Sequence, residues 1–188
     1  MCMQKRITEI LSSREPRRIQ DERLTPAAVL FLVFEKEAEC QVLLTRRSEN
    51  VAYHKGEVSF PGGTIDPDDS NLLHTALREG AEEIGVDPRD VTILGRLDDI
   101  FTVTTGFVIT PYVGRIPYPY DFQINAEEIS ELIVLPLRAL AEDCDVETSK
   151  VIWEGKDLKA YHFYIRGHII WGATARILKQ FLDLIYKE

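Results

Sequence analysis

The sequence predicts an α+β domain in which a mixed sheet lies between helices, and three observations predict it. Ala27-Ala28-Val29-Leu30-Phe31-Leu32-Val33-Phe34 is a short apolar run rich in Val and Phe, as a buried strand requires. Two segments, one ending near Ile84 and one from Ala173 to Tyr186, carry apolar residues at helical spacing. The other apolar segments are short, so the order reads strands, helix, strands, helix.

Each element follows from local chemistry. Ile7, Ile10 and Leu11 predict a short N-terminal helix, and the polar stretch from Arg14 to Thr25 connects it onward. Pro26 opens the first strand. Glu35 to Glu39 is a polar turn, and Cys40 to Thr45 completes a hairpin. A loop from Arg46 to Glu57 follows. Val58-Ser59-Phe60 is a short strand that Pro61-Gly62-Gly63 ends. Asp66 to Ser70 supplies helix-start chemistry, with Asp68, Asp69 and Ser70 as candidate N-caps. That helix turns Leu73, Leu77, Gly80 and Ile84 to the core and stops at Gly85. Val91 to Leu97, Thr102 to Ile116 and Ile129 to Leu135 read as strands, and Pro136 to Ala141 as a helical turn. Lys150 to Trp153 and Ala160 to Ile165 flank Gly155 as a hairpin. Ile177, Leu178, Phe181, Leu182 and Ile185 mark the last helix.

Bulk properties narrow the function. The chain has 188 residues, 45% of them hydrophobic, which suits one domain over 1–188 with a helical extension over 1–25. Lys plus Arg is 22 and Asp plus Glu is 31, a net charge of −9. Such a surface gains nothing from the field of a nucleic-acid backbone, so nucleic acid is not expected as a partner. The three cysteines, Cys2, Cys40 and Cys144, form no Cys-x-x-Cys pair, and reduced thiols in a cytoplasmic protein are expected. No segment has the roughly 18 apolar residues of a membrane span.

The chemistry concentrates in Arg78-Glu79-Gly80-Ala81-Glu82-Glu83-Ile84-Gly85-Val86. On a helix, Glu82 and Glu83 lie roughly 60° and 40° to either side of Glu79. Like charges at this spacing are unfavourable unless Arg78 or a hard divalent cation compensates them. A solvated helix face is the plain alternative for such a Glu-rich stretch.

These residues resemble the box of the Nudix hydrolase family, G-x5-E-x7-R-E-U-x-E-E-x-G-U, with U a bulky apolar residue. Arg78-Glu79, Glu82-Glu83, Gly85 and Val86 match in register. Gly80 replaces a bulky residue, Ser70 stands where the first glutamate is expected, and Gly63 lies one residue further upstream than the box glycine. Leu43-Leu44-Thr45-Arg46-Arg47-Ser48, Gly56 and Phe60-Pro61-Gly62-Gly63 are similar to a motif of the coenzyme A pyrophosphatase branch, with Ala52 where that motif has arginine and Glu57 where glutamine is frequent. Similarity to the branch continues through Thr105 to Pro111, Glu128 to Glu131 and Ile170 to Leu178.

The resemblance implies an α/β/α sandwich and metal-dependent cleavage of a pyrophosphate in a nucleoside diphosphate derivative, coenzyme A or an acyl-coenzyme A first among them. ADP-ribose, a dinucleotide or a nucleoside triphosphate is the alternative substrate, and a catalytically silent nucleotide sensor the alternative role. The resemblance makes Glu79, Glu82, Glu83 and Gly63 the expected ligands of Mg²⁺ or Mn²⁺. Arg78 is expected to orient a carboxylate. The general base stays open between Glu79, Glu82 and Glu128. Arg46, Arg47, His54, Gly56 and Phe60 are the expected substrate contacts, although paired arginines and a loop histidine are also ordinary surface features. His74, His162 and His168 have no metal-ligand spacing and read as structural. Trp153, Trp171, Tyr161 and Phe163 are expected in the core or a dimer contact, and a homodimer is what the family suggests.

Overall fold

A computed structural model describes residues 3–51, 53–153 and 156–186. Ala52 and Gly155, which the sequence singles out, lie outside the described residues.

The apolar run forms β1 (Thr25–Lys36), which pairs with β2 (Glu39–Arg47) as the expected antiparallel hairpin, Leu32 opposite Leu43 and Val33 opposite Val42. Successive side chains of a strand point to opposite faces. Phe31 and Val33 enter one core cluster, while Ala28, Leu30, Leu32 and Phe34 enter another. From Ala27 to Phe34 β1 is apolar because both of its faces are covered there.

The remaining strands build outward from it. β3 (Val58–Ser59) continues beside β2, and β4 (Gly62–Thr64) lies beside β1, with Gly63 opposite Ala28. β5 (Thr92–Arg96), β6 (Ile100–Phe101) and β7 (Phe107–Arg115) follow, and β7 runs parallel to β1 on its other edge. β8 (Ile129–Pro136) pairs with β2. The sheet is mixed, as expected. The strand expected over Thr102–Ile116 is interrupted: Thr102 to Gly106 turns, and the Thr102 hydroxyl accepts the Phe107 N–H at 2.8 Å. Alternation alone does not reveal a hydroxyl that caps a turn.

α1 (Met3–Ser12), α3 (Leu137–Glu142) and α4 (Gly172–Tyr186) cover one face, through Ile7, Leu11, Leu140, Phe181 and Ile185 among others. α2 (Leu72–Ile84) covers the other through Leu72, Ala76, Leu77 and Ile84. Leu73, expected in the core, is only partly buried and stays outside this cluster, which Ala76 joins and Leu72 packs against. The result is an α/β/α sandwich. A second, three-stranded sheet holds β9 (Asp145–Trp153), β10 (Lys156–Ile165) and β11 (His168–Ile170) in antiparallel order. The expected hairpin is present and longer than its apolar residues suggest. Phe163 is buried, Tyr161 packs partly against the core and Trp171 is exposed. Among the described residues no helix is long and apolar enough to cross a membrane.

Candidate active site

α2 carries the carboxylates, and β4 supplies the backbone they face. The N-cap of α2 is Asn71, not Asp68, Asp69 or Ser70: its side chain accepts the N–H groups of Leu73 and His74 at 2.9 and 3.1 Å. At the other end Gly85 has φ 69°, the left-handed conformation that ends a helix at low cost for glycine. Gly80 lets α2 approach β1, since a Cβ there would lie 2.9 Å from Leu30 Cδ2.

From this helix the three glutamates diverge. Glu83 turns inward and is 2% exposed. Its Oε2 accepts the Gly62 N–H at 3.3 Å, and its Oε1 lies 3.8 Å from Arg47 Nη1. Glu79 is half-buried against Gly63, where a Cβ would lie 2.5 Å from Oε1. Glu82 points to solvent and accepts from Arg78 Nη1 at 2.9 Å, as Glu79 does. As they stand, no three Asp, Glu, His or Cys side chains among the described residues are gathered closely enough to hold an ion. Arg78 holds two of the three carboxylates instead.

Burial pushes the Glu83 carboxyl up to about 8, helped by the neighbouring Glu79 charge and opposed by Arg47. Burial also raises Glu79, against the pull of Arg78. Burial thus makes both carboxylates harder to ionise than in water, and added positive charge would favour their charged forms. Hard oxygen donors short of counter-charge, beside a backbone position only glycine can fill, fit a hard divalent cation.

Arg78 has an anchor that the sequence did not suggest. Asp69 accepts from its Nε and Nη2, both at 3.0 Å, in a two-pronged bond. The guanidinium holds the Asp69 carboxyl well below the usual carboxylate range. Asp69, read as helix-start chemistry, is therefore the support of Arg78, one residue before the box's first glutamate position. The signal was its oddness: three aspartates stand in a turn whose cap needs only one oxygen.

Asn125 links Glu128 to the end of α2 that carries Glu83, and the Glu128 charge adds a little to the rise of Glu79 and Glu83. Glu128 Oε1 accepts from Asn125 Nδ2 at 3.2 Å, and its carbonyl accepts the Ser48 N–H at 2.7 Å. Asn125, which sequence reading missed, also donates its N–H to the Glu83 carbonyl at 2.9 Å and docks this loop on the end of α2.

The expected substrate contacts divide. Arg47 reaches toward Glu83, and its Nε is buried with no hydrogen-bond partner among the described residues. Arg46 and Gly56 meet each other, as Arg46 Nη1 donates to the Gly56 carbonyl at 3.0 Å. His54 pairs with Glu57 at 3.0 Å on the exposed loop. Phe60 is placed in the hydrophobic core, 3% exposed and stacked on Phe31 at 4.6 Å, so its ring is a packing element.

Comparison with known proteins places the chain in a family. Residues 24–152 match the NUDIX domain family. The chain is 32% identical to the Nudix hydrolase NudL of Photorhabdus laumondii over 165 residues, 88% of this chain and 87% of that one. It is 36% identical to NudL of Yersinia pestis over 141 residues, 75% of this chain and 70% of that one. Among solved structures it resembles a MutT/nudix family protein from Enterococcus faecalis, with TM-score 0.59 and 15% identity over 93% of this chain and 66% of that one. It also resembles the C. elegans Ap4A hydrolase, with TM-score 0.53 and 20% identity over 61% of this chain and 82% of that one. By the matched domain and these relatives, the chain belongs to the Nudix hydrolase family and is a pyrophosphohydrolase.

Proposed function

We propose that the chain hydrolyses the pyrophosphate bond of coenzyme A or an acyl-coenzyme A with Mg²⁺ or Mn²⁺, as a cytoplasmic homodimer. Nudix hydrolases generally use divalent metal ions. In this reading Glu79, Glu82, Glu83 and the Gly63 carbonyl would hold the ion, which would offset the diphosphate charge and lower the pKa of a water. Arg78, braced by Asp69, holds Glu79 and Glu82 in place. Glu79, Glu82 or Glu128 takes the proton of the attacking water. Arg47 offers its unpartnered Nε to a phosphate oxygen.

The observation that carries the reading is the pair of carboxylates, Glu79 and Glu83, packed against Gly62-Gly63 with raised proton affinity. Coenzyme A is favoured by the motif residues from Leu43 to Gly63, which form one run from β2 to the β4 backbone beside Glu79.

The test is hydrolysis of coenzyme A, ADP-ribose, a dinucleotide and a nucleoside triphosphate, each with and without Mg²⁺ or Mn²⁺. Metal-dependent release of adenosine 3',5'-bisphosphate from coenzyme A is the expected result. Faster cleavage of ADP-ribose would move the substrate, and no cleavage of any of the four would favour a nucleotide sensor. Light scattering checks the dimer.

A further inference from the structure

We infer that His168 is a positioning residue for the loop 48–57, which it braces through Arg46 and the Gly56 carbonyl. The inference rests on the reading that this loop receives the substrate.

Arg46 is a rigid fork of donors. Its Nε donates to Glu131 Oε2 at 2.9 Å, its Nη1 to the Gly56 carbonyl at 3.0 Å and its Nη2 to His168 Nδ1 at 2.7 Å. A guanidinium cannot accept, so Nδ1 of His168 must carry a lone pair. The three acceptors come from three places: β8, the loop and β11. Between them they fix the plane of the guanidinium, and the guanidinium fixes Gly56.

The fold places each acceptor for a local reason. Arg166 and Gly167 have φ 48° and 80°, the paired positive values of a tight hairpin turn, and His168 follows directly in register with Ile165. In β8, Ser130 is an extra residue between Ile129, opposite Arg47, and Glu131, opposite Arg46. Its hydroxyl closes the bulge by donating to the Arg46 and Arg47 carbonyls at 3.3 and 3.4 Å. Gly56 is gripped from both sides, because its N–H also donates to the Arg47 carbonyl at 3.2 Å. With φ 68°, it turns the chain so closely that a Cβ would lie 2.9 Å from Glu49 Oε1.

Arg46 is thus occupied with the loop, and His168 carries the second sheet's position into that loop. Replacing His168 by Ala removes one of the three acceptors and frees the fork to rotate. His168→Asn keeps an acceptor, because Asn Oδ1 stands where His Nδ1 stands.

The experiment measures amide exchange across residues 49–57 and steady-state kinetics with coenzyme A for wild type, His168→Ala and His168→Asn. His168→Ala is expected to speed exchange at Gly56 and Glu57 about tenfold and raise KM about five- to tenfold, with kcat within about twofold. His168→Asn is expected to stay near wild type in both. Unchanged exchange in His168→Ala, or equal damage in His168→Asn, overturns the brace. Faster exchange with unchanged KM overturns its role in substrate binding. If wild type does not cleave coenzyme A, the proposed substrate fails while the exchange comparison still decides the brace.

Discussion

Arg46 and Arg47 leave β2 in opposite directions, and the two faces they reach are built differently. Arg46 meets three acceptors, Glu131, Gly56 and His168, and is spent on holding a loop. Arg47 approaches Glu83 only to 3.8 Å, and its buried Nε has no hydrogen-bond partner among the described residues. A satisfied cation rigidifies its surroundings, whereas one with an unpartnered Nε beside two carboxylates of raised proton affinity leaves an electrostatic imbalance. In sequence the two are interchangeable neighbours; strand alternation takes Arg46 to Gly56 and His168 and Arg47 to Glu83.

Four experiments press on that contrast. The largest effect is expected for Glu83→Gln, which keeps the shape of the buried side chain and removes its charge. Activity with coenzyme A should fall on the order of a thousandfold while the fold, followed by circular dichroism, is kept. Gly63→Ala comes next. A Cβ 2.5 Å from Glu79 Oε1 must displace that carboxylate, and a shift of about 1 Å is worth roughly a hundredfold in kcat/KM.

The arginines themselves should then separate. Arg47→Ala is expected to lower kcat/KM roughly 30-fold, mainly through kcat. Arg46→Ala should act mainly through KM, by about tenfold, and loosen residues 49–57 in amide exchange. Equal effects on kcat and KM from both would erase the distinction between the faces.

The last effect is on stability. Glu83 is raised by burial to about 8 in the folded chain, against about 4.3 when unfolded. Between those values the native state binds more protons than the unfolded one, so stability falls as pH rises. Without metal, the protein should melt at a higher temperature at pH 5 than at pH 8. Glu83→Gln should lose that part of the slope.

Much of the fold was legible because hydrophobic period and turn chemistry are local. The β1–β2 hairpin, the helix ended by Gly85 and the final helix follow from residues within one element. Asn71 was hidden because several neighbouring polar residues offer cap oxygens, and only the backbone path selects one. Of the candidate site, the placement of Glu79, Glu82, Glu83 and Arg78 on one helix was legible. Their divergence was not, because Glu83 turns inward to a backbone N–H contributed 21 residues away in sequence. Asp69 escaped for the same reason: its bond to Arg78 closes a loop that spacing does not display. Phe60 sits in the motif from Leu43 to Gly63 yet packs into the core against Phe31, a contact 29 residues away that spacing does not display.

The central claim is that the Glu79–Glu83 face of α2 is completed by a divalent ion. Mn²⁺ binding, followed by water-proton relaxation in wild type and Glu83→Gln, tests it most directly. Saturable binding in wild type that is lost or strongly weakened in Glu83→Gln is the predicted result. Equal binding by the two proteins would contradict it.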